Sequence, residues 1–222
     1  MGMPAVAVTD TNNMFCALEF SETAAKNGVQ PIIGCQVDLG YTTPDPGKRP
    51  EDPAPIVLIA QSEAGYINLM KLNSCLYLAQ DGQLPQVTLD DLAENAEGVI
   101  CLTGGPDGPI GRLLRQGQHP KADALMDRLA AIYGDRLYVE LQRHPDAGGL
   151  PEAEKLSERG FVEMAYAKGL PLVATNDVYF PKSDLYEAHD ALLCISEGAY
   201  VDQQEPRRRL TPQHYFKSPQ EM

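Results

Sequence analysis

Short, continuous apolar runs alternate with longer stretches of helical periodicity along this chain, and this alternation limits the fold more than any other feature. The apolar runs cover residues 4–9, 31–37, 56–59, 98–102, 137–141 and 172–175. The helical stretches cover about 14–27, 62–78, 109–116, 121–133, 151–168 and 184–195. Such alternation is typical of a mostly parallel sheet covered by helices. The sequence therefore predicts an α/β fold, as a barrel, a partial barrel or an open doubly wound sheet.

Local signals refine this pattern at three places. Residues 41–55 are dense in proline, glycine and charge, which predicts a surface loop. Thr88 and Asp91 have the spacing of a capping box, which predicts the start of a short helix. The chain opens almost directly into a core strand. We therefore expect a piece of a longer gene product that lacks an opening strand or two.

Charge and cysteine content exclude several classes of protein. Lys and Arg total 18 against 31 Asp and Glu, a net charge of −13, whereas a DNA-coating module needs a basic stripe. No apolar run approaches the length of a membrane span, and no signal peptide is apparent. The five cysteines lack CxxC spacing, which favours reduced, buried thiols over a zinc ribbon or a disulfide framework.

Two charged segments each permit two interpretations. Residues 81–100 contain acidic side chains but no Lys or Arg, which fits a solvated helix surface or a docking patch for a basic partner. The Arg207–Arg209 run fits a solvated loop or a contact with a nucleic-acid backbone.

Polar side chains follow four of the predicted strands. Asp10, Gln36, His144 and Asp177 stand at these positions, and the carboxyl ends of parallel strands form the edge at which sites are built. Asp10 either binds a metal ion or, with the adjacent asparagines, caps the next helix. A hydrolytic site with several metal ions needs more His, Asp and Glu than these strand ends supply. We therefore expect a depleted metal site.

A glycine-rich turn at residues 103–111 lies between a predicted strand and a predicted helix. Such a turn can hold a phosphate at a helix N-terminus. However, Pro106 and Pro109 remove two of the amides that a phosphate would need, so a tight structural turn is the better interpretation.

An ordered set of motifs resembles the PHP (polymerase and histidinol phosphatase) domain of bacterial DNA polymerase III alpha subunits. The motifs are Met3–Asp10, Pro31–Cys35, Tyr138–His144, Leu172–Asp177, Ala188–Cys194 and Arg209–Ser218. The resemblance implies a distorted (β/α)7-type PHP barrel, here incomplete at its N-terminus. It further implies a PHP domain at residues 1–206 without its opening His-x-His strand, and an exit segment at 207–222 that leads toward the polymerase body.

The resemblance also implies which residues correspond to the metal ligands of the family. Asp10, His144 and Asp177 match ligand positions. By contrast, Thr11, Gln36 and Tyr179 stand where the family has His, Glu and His. Loss of ligands weakens a cluster of metal ions severely. We therefore expect Asp10, His144 and Asp177 to be vestigial, with at most a residual zinc or manganese ion, and we expect no catalytic residue in this chain.

The function implied by the resemblance is that of a scaffold in the DNA-replication machinery. Its partners would be the rest of the polymerase alpha subunit and the proofreading exonuclease subunit, in the cytoplasm and without a membrane. DNA contacts, nucleotidyl transfer and the Mg²⁺ that it requires would belong to other domains. Two alternatives are an active metal-dependent phosphoesterase or 3′→5′ exonuclease, and an α/β-barrel enzyme that binds a phosphorylated metabolite at residues 104–111.

Overall fold

The computed structural model describes residues 2–42, 51–78, 84–203 and 210–222, and within them strands and helices alternate as predicted. The strands are β1 (Ala5–Val8), β2 (Gln30–Leu39), β3 (Ala54–Ala60), β4 (Val99–Leu102), β5 (Leu137–Gln142) and β6 (Leu172–Thr175). The helices are α1 (Ala17–Lys26), α2 (Glu63–Leu78), α3 (Leu89–Glu94), α4 (Pro109–Arg115), α5 (His119–Tyr133), α6 (Glu152–Lys168) and α7 (Tyr186–Glu197). Each predicted strand and helix has a counterpart, displaced by a few residues at its ends.

The strands form one curled, six-stranded half-barrel sheet in the order β1-β2-β3-β4-β5-β6, which confirms the α/β class. The pairs β1–β2, β4–β5 and β5–β6 are parallel, whereas β3 is antiparallel to both of its neighbours. The prediction of a mostly parallel sheet is therefore right, with β3 as the reversed strand.

The apolar core lies under the middle of the sheet. Ile56 and Leu58 of β3 are fully buried, as are Leu72 of α2 and Leu129 of α5. The edge strands β1 and β6 are only partly covered. Strands buried on both faces read as continuous apolar runs, which accounts for the apolar runs at the central strands β3 and β4.

The five cysteines all lie in the described ranges, and none of them forms a disulfide there. Cys35, Cys101 and Cys194 are buried, and Cys16 and Cys75 are partly exposed. Among the helices of the described ranges, none has the length and apolarity needed to cross a bilayer.

The acidic segment is a helix surface in its described part. The predicted capping box begins α3: Asp91 N donates to Thr88 Oγ1 at 3.1 Å, and Thr88 N donates to Asp91 Oδ2 at 2.8 Å. Asp90 and Glu94 are exposed, and Asp90 lies 3.6 Å from Arg128. Asp81 and the Arg207–Arg209 run lie outside the described residues, as do residues 43–50 of the predicted loop.

Candidate functional site

The loop after β1 carries Asp10, the first predicted ligand. Its carboxylate accepts a hydrogen bond from the Cys16 thiol at 2.8 Å, and its main-chain oxygen accepts one from Gln36 N at 3.0 Å. Burial, together with the Asp10 carboxylate, raises the pKa of the Cys16 thiol to about 11, so the thiol stays a donor. Cys16 is also the N-cap of α1, and its own side chain makes no capping hydrogen bond. Just before the helix, Asn13 Oδ1 accepts a hydrogen bond from Phe15 N at 3.1 Å, so the capping contact belongs to an adjacent asparagine, whereas the Asp10 carboxylate bonds to a side chain.

The residues that depart from the ligand pattern on this side bond to each other. Thr11 Oγ1 donates to Gln36 Oε1 at 2.8 Å. Next to them, Asn12 Nδ2 donates to Asp38 Oδ2 at 2.7 Å, and Asp38 N donates to Asn12 Oδ1 at 3.0 Å. Burial raises the pKa of Asp38, against the effect of the Asn12 hydrogen bond. These contacts connect the loop after β1 to β2, and the two side chains at the predicted ligand positions, Thr11 and Gln36, are uncharged.

A buried acid, Glu140, organises the ends of β5 and β6. Its carboxylate accepts hydrogen bonds from the Thr175 hydroxyl, from Gly104 N at 2.9 Å and from Gln142 Nε2 at 3.2 Å. Glu140 is 2% exposed, and desolvation by burial raises its pKa, with a smaller upward contribution from Asp177. Glu140 was not among the predicted site residues, although a charged residue inside a continuous apolar strand is a signal that could have identified it.

His144, the second predicted ligand, uses both ring nitrogens within the protein. Nδ1 lies 2.7 Å from Glu154 Oε1, and Nε2 lies 2.9 Å from the main-chain oxygen of Asn176. Since a carboxylate and a carbonyl both accept hydrogen bonds, each ring nitrogen faces a hydrogen-bond acceptor of the protein at close range. Glu154 lies in the first turn of α6, where the helix dipole favours a carboxylate.

The predicted exit segment contributes a second histidine to this site. The His214 ring stacks on the His144 ring, with centroids 3.7 Å apart and planes inclined by 7°. Asn176 Nδ2 donates to the main-chain oxygens of Gln213 at 2.9 Å and Tyr215 at 2.7 Å. Residues 211–217, which we call the strap, thus lie across the loop after β6. His214 belongs to the predicted exit segment, and no local signal in the sequence marks its contact with His144.

Asp177, the third predicted ligand, follows β6 in a strained conformation. Its φ of 37° is in the left-handed region, which is uncommon for residues other than glycine. Two residues on, the Tyr179 ring lies 5.6 Å from the His189 ring and 6.0 Å from the His214 ring, between centroids. Tyr179 therefore belongs to an aromatic cluster at this end of the sheet.

The predicted ligands are divided between the two edges of the sheet. Asp10 follows β1 at one edge, whereas His144 and Asp177 follow β5 and β6 at the other. Within the described ranges, no group of three or more His, Cys, Asp and Glu side chains is arranged to hold a metal ion. Together with the occupied nitrogens of His144, this arrangement does not fit the metal cluster that the family pattern implies.

The glycine-rich turn packs as part of the fold. Gly104 N donates to Glu140, and Gly108 N donates to the main-chain oxygen of Gly104 at 2.9 Å. Gly104 has a φ of +80°, and a Cβ there would lie 1.9 Å from the main-chain oxygen of Pro55. Two of the amides that a phosphate would use are therefore engaged internally, which favours the structural interpretation of this turn.

The comparisons with known proteins agree with the resemblance. The PHP domain family matches residues 1–144. The DNA polymerase III subunit alpha of Caulobacter vibrioides is 47% identical over 222 residues, covering 99% of this chain and 19% of that protein. The corresponding subunits of Rickettsia bellii and Pseudomonas aeruginosa are 40% and 37% identical, with 99% and 100% of this chain covered and 18% of each of those proteins.

One solved structure is similar at lower identity. A protein assigned as a metal-dependent phosphoesterase, from Bifidobacterium adolescentis, has 12% identity and a TM-score of 0.45, covering 79% of this chain and 77% of that chain. The chain spans about a fifth of the length of the curated relatives it matches. Because the family model covers well over half of the residues, the chain belongs to the PHP domain family.

Proposed function

We propose that this chain is the PHP domain of a bacterial replicative DNA polymerase, the alpha subunit of DNA polymerase III, and that it acts as a scaffold without hydrolytic activity. The observation that carries the proposal is the 47% identity to the Caulobacter subunit over 222 residues. Nucleotidyl transfer, Mg²⁺ binding and the main DNA contacts belong to other parts of such a subunit. A net charge of −13 suits a surface that meets protein rather than DNA.

The absence of hydrolysis is supported by the chemistry at both edges of the sheet. A catalytic metal ion needs ligands with free lone pairs and an open coordination position for water. Thr11 and Gln36 offer neutral oxygens that already bond to each other, and the His144 nitrogens face acceptors. Asp10, His144 and Asp177 are therefore proposed to be vestigial ligand positions.

Metal content and nuclease activity test this proposal on the full-length polymerase chain. We expect zinc and manganese well below one ion per chain, and the same 3′→5′ exonuclease background for the parent chain and for Asp177→Ala. Asp184→Ala, at an exposed position just before α7, is the matched control. Stoichiometric metal, with nuclease turnover lost in Asp177→Ala but not in Asp184→Ala, would identify an active phosphoesterase instead.

The proposed partners are the rest of the polymerase chain and the proofreading exonuclease subunit, in the cytoplasm. Cross-linking of the purified polymerase–exonuclease complex, followed by mass spectrometry, locates the contacts. We expect links from the exonuclease subunit into residues 2–222. A stable complex whose links all fall outside these residues would contradict the docking role. Fractionation of the native cells, with the chain recovered in the membrane pellet, would contradict the cytoplasmic location.

A further inference from the structure

We draw no further inference here: the strongest candidate, the exposed apolar surface patch of α7 that contains Leu192 and Ile195, carries none, because nothing in the described residues shows what covers it.

Discussion

The two edges of the sheet differ in what surrounds the predicted ligand positions. At the β1–β2 edge, Thr11 and Gln36 stand where the resemblance predicts His and Glu, and they bond to each other. At the β5–β6 edge, His144 keeps the residue type, but Glu154 and Asn176 engage its nitrogens. The comparison shows that a residue can match a family's ligand type while structural contacts engage both of its ring nitrogens. Residue identity and ligand function are therefore separate questions.

The most sensitive test of this comparison is the buried pair at the β5–β6 edge. Glu154→Ala leaves His144 without its carboxylate in a site where the two side chains are 2% and 5% exposed. We expect a loss of about 3–5 kcal/mol in the free energy of unfolding, measured by urea denaturation. The control Glu158→Ala breaks the more exposed pair with Arg143 and should cost less than about 1 kcal/mol. Equal losses would show that the His144 pair is not a structural anchor.

At the same edge, the role of Glu140 is tested by the effect of pH on the stability of the protein. Glu140→Gln places an amide NH₂ against hydrogen-bond donors, so we expect a loss of about 1–3 kcal/mol. Burial raises the pKa of Glu140 above its ordinary value of 4.5, so the folded state holds this proton more tightly than the unfolded state. The contribution of Glu140 to stability is thus greatest below pH 4.5 and falls as pH rises through the folded-state pKa.

The loss of unfolding free energy caused by Glu140→Gln should therefore become smaller as the pH rises from below 4.5 through the folded-state pKa of Glu140. Urea denaturation at a series of pH values measures this loss. Thr175→Val, which removes one donor and leaves the acid in place, is the control. A cost that grows with pH would contradict the assignment of the raised pKa to Glu140.

At the β1–β2 edge, Asn12 offers a smaller test. Its φ of 56° lies in the left-handed region, and its side chain makes paired hydrogen bonds with Asp38. We expect Asn12→Ala to lower the free energy of unfolding by about 1–2 kcal/mol, and Asn12→Gly to cost less because glycine adopts this conformation freely. Thermal unfolding shows which of the two variants, Asn12→Ala or Asn12→Gly, loses more stability. Equal losses would show that the Asp38 contact, rather than the backbone, determines the cost.

The smallest effect is expected in metal binding, which tests the difference between the two edges most directly. The double variant Thr11→His, Gln36→Glu restores the family ligand types at the β1–β2 edge. Because the His144 nitrogens stay engaged at the other edge, we expect no gain in bound zinc or manganese by equilibrium dialysis. The double variant is compared with the same variant carrying Glu154→Gln, which replaces the carboxylate that faces His144 Nδ1. Stoichiometric metal in the double variant alone would show that residue type, rather than the engaged histidine, limits binding.

Much of the fold could be predicted because it depends on local pattern. The continuous apolar strands, the helices and the capping box at Thr88 all follow from spacing along the chain. The reversed direction of β3 did not follow, since direction depends on how a connection crosses the sheet. Likewise, Glu154 and His214 became neighbours of His144 only through packing, and neither carried a sequence signal for that contact.

The strap joins the end of the described chain to the loop after β6 by main-chain hydrogen bonds. Tyr179 N donates to the main-chain oxygen of His214 at 3.0 Å, and Phe216 N donates to that of Phe180 at 3.0 Å. Asn176, whose side chain also holds the strap, gives its own carbonyl to His144. Residues far apart in the chain thus converge on one imidazole: the strap reaches His144 through the stacked His214 ring and through Asn176, which bonds to both.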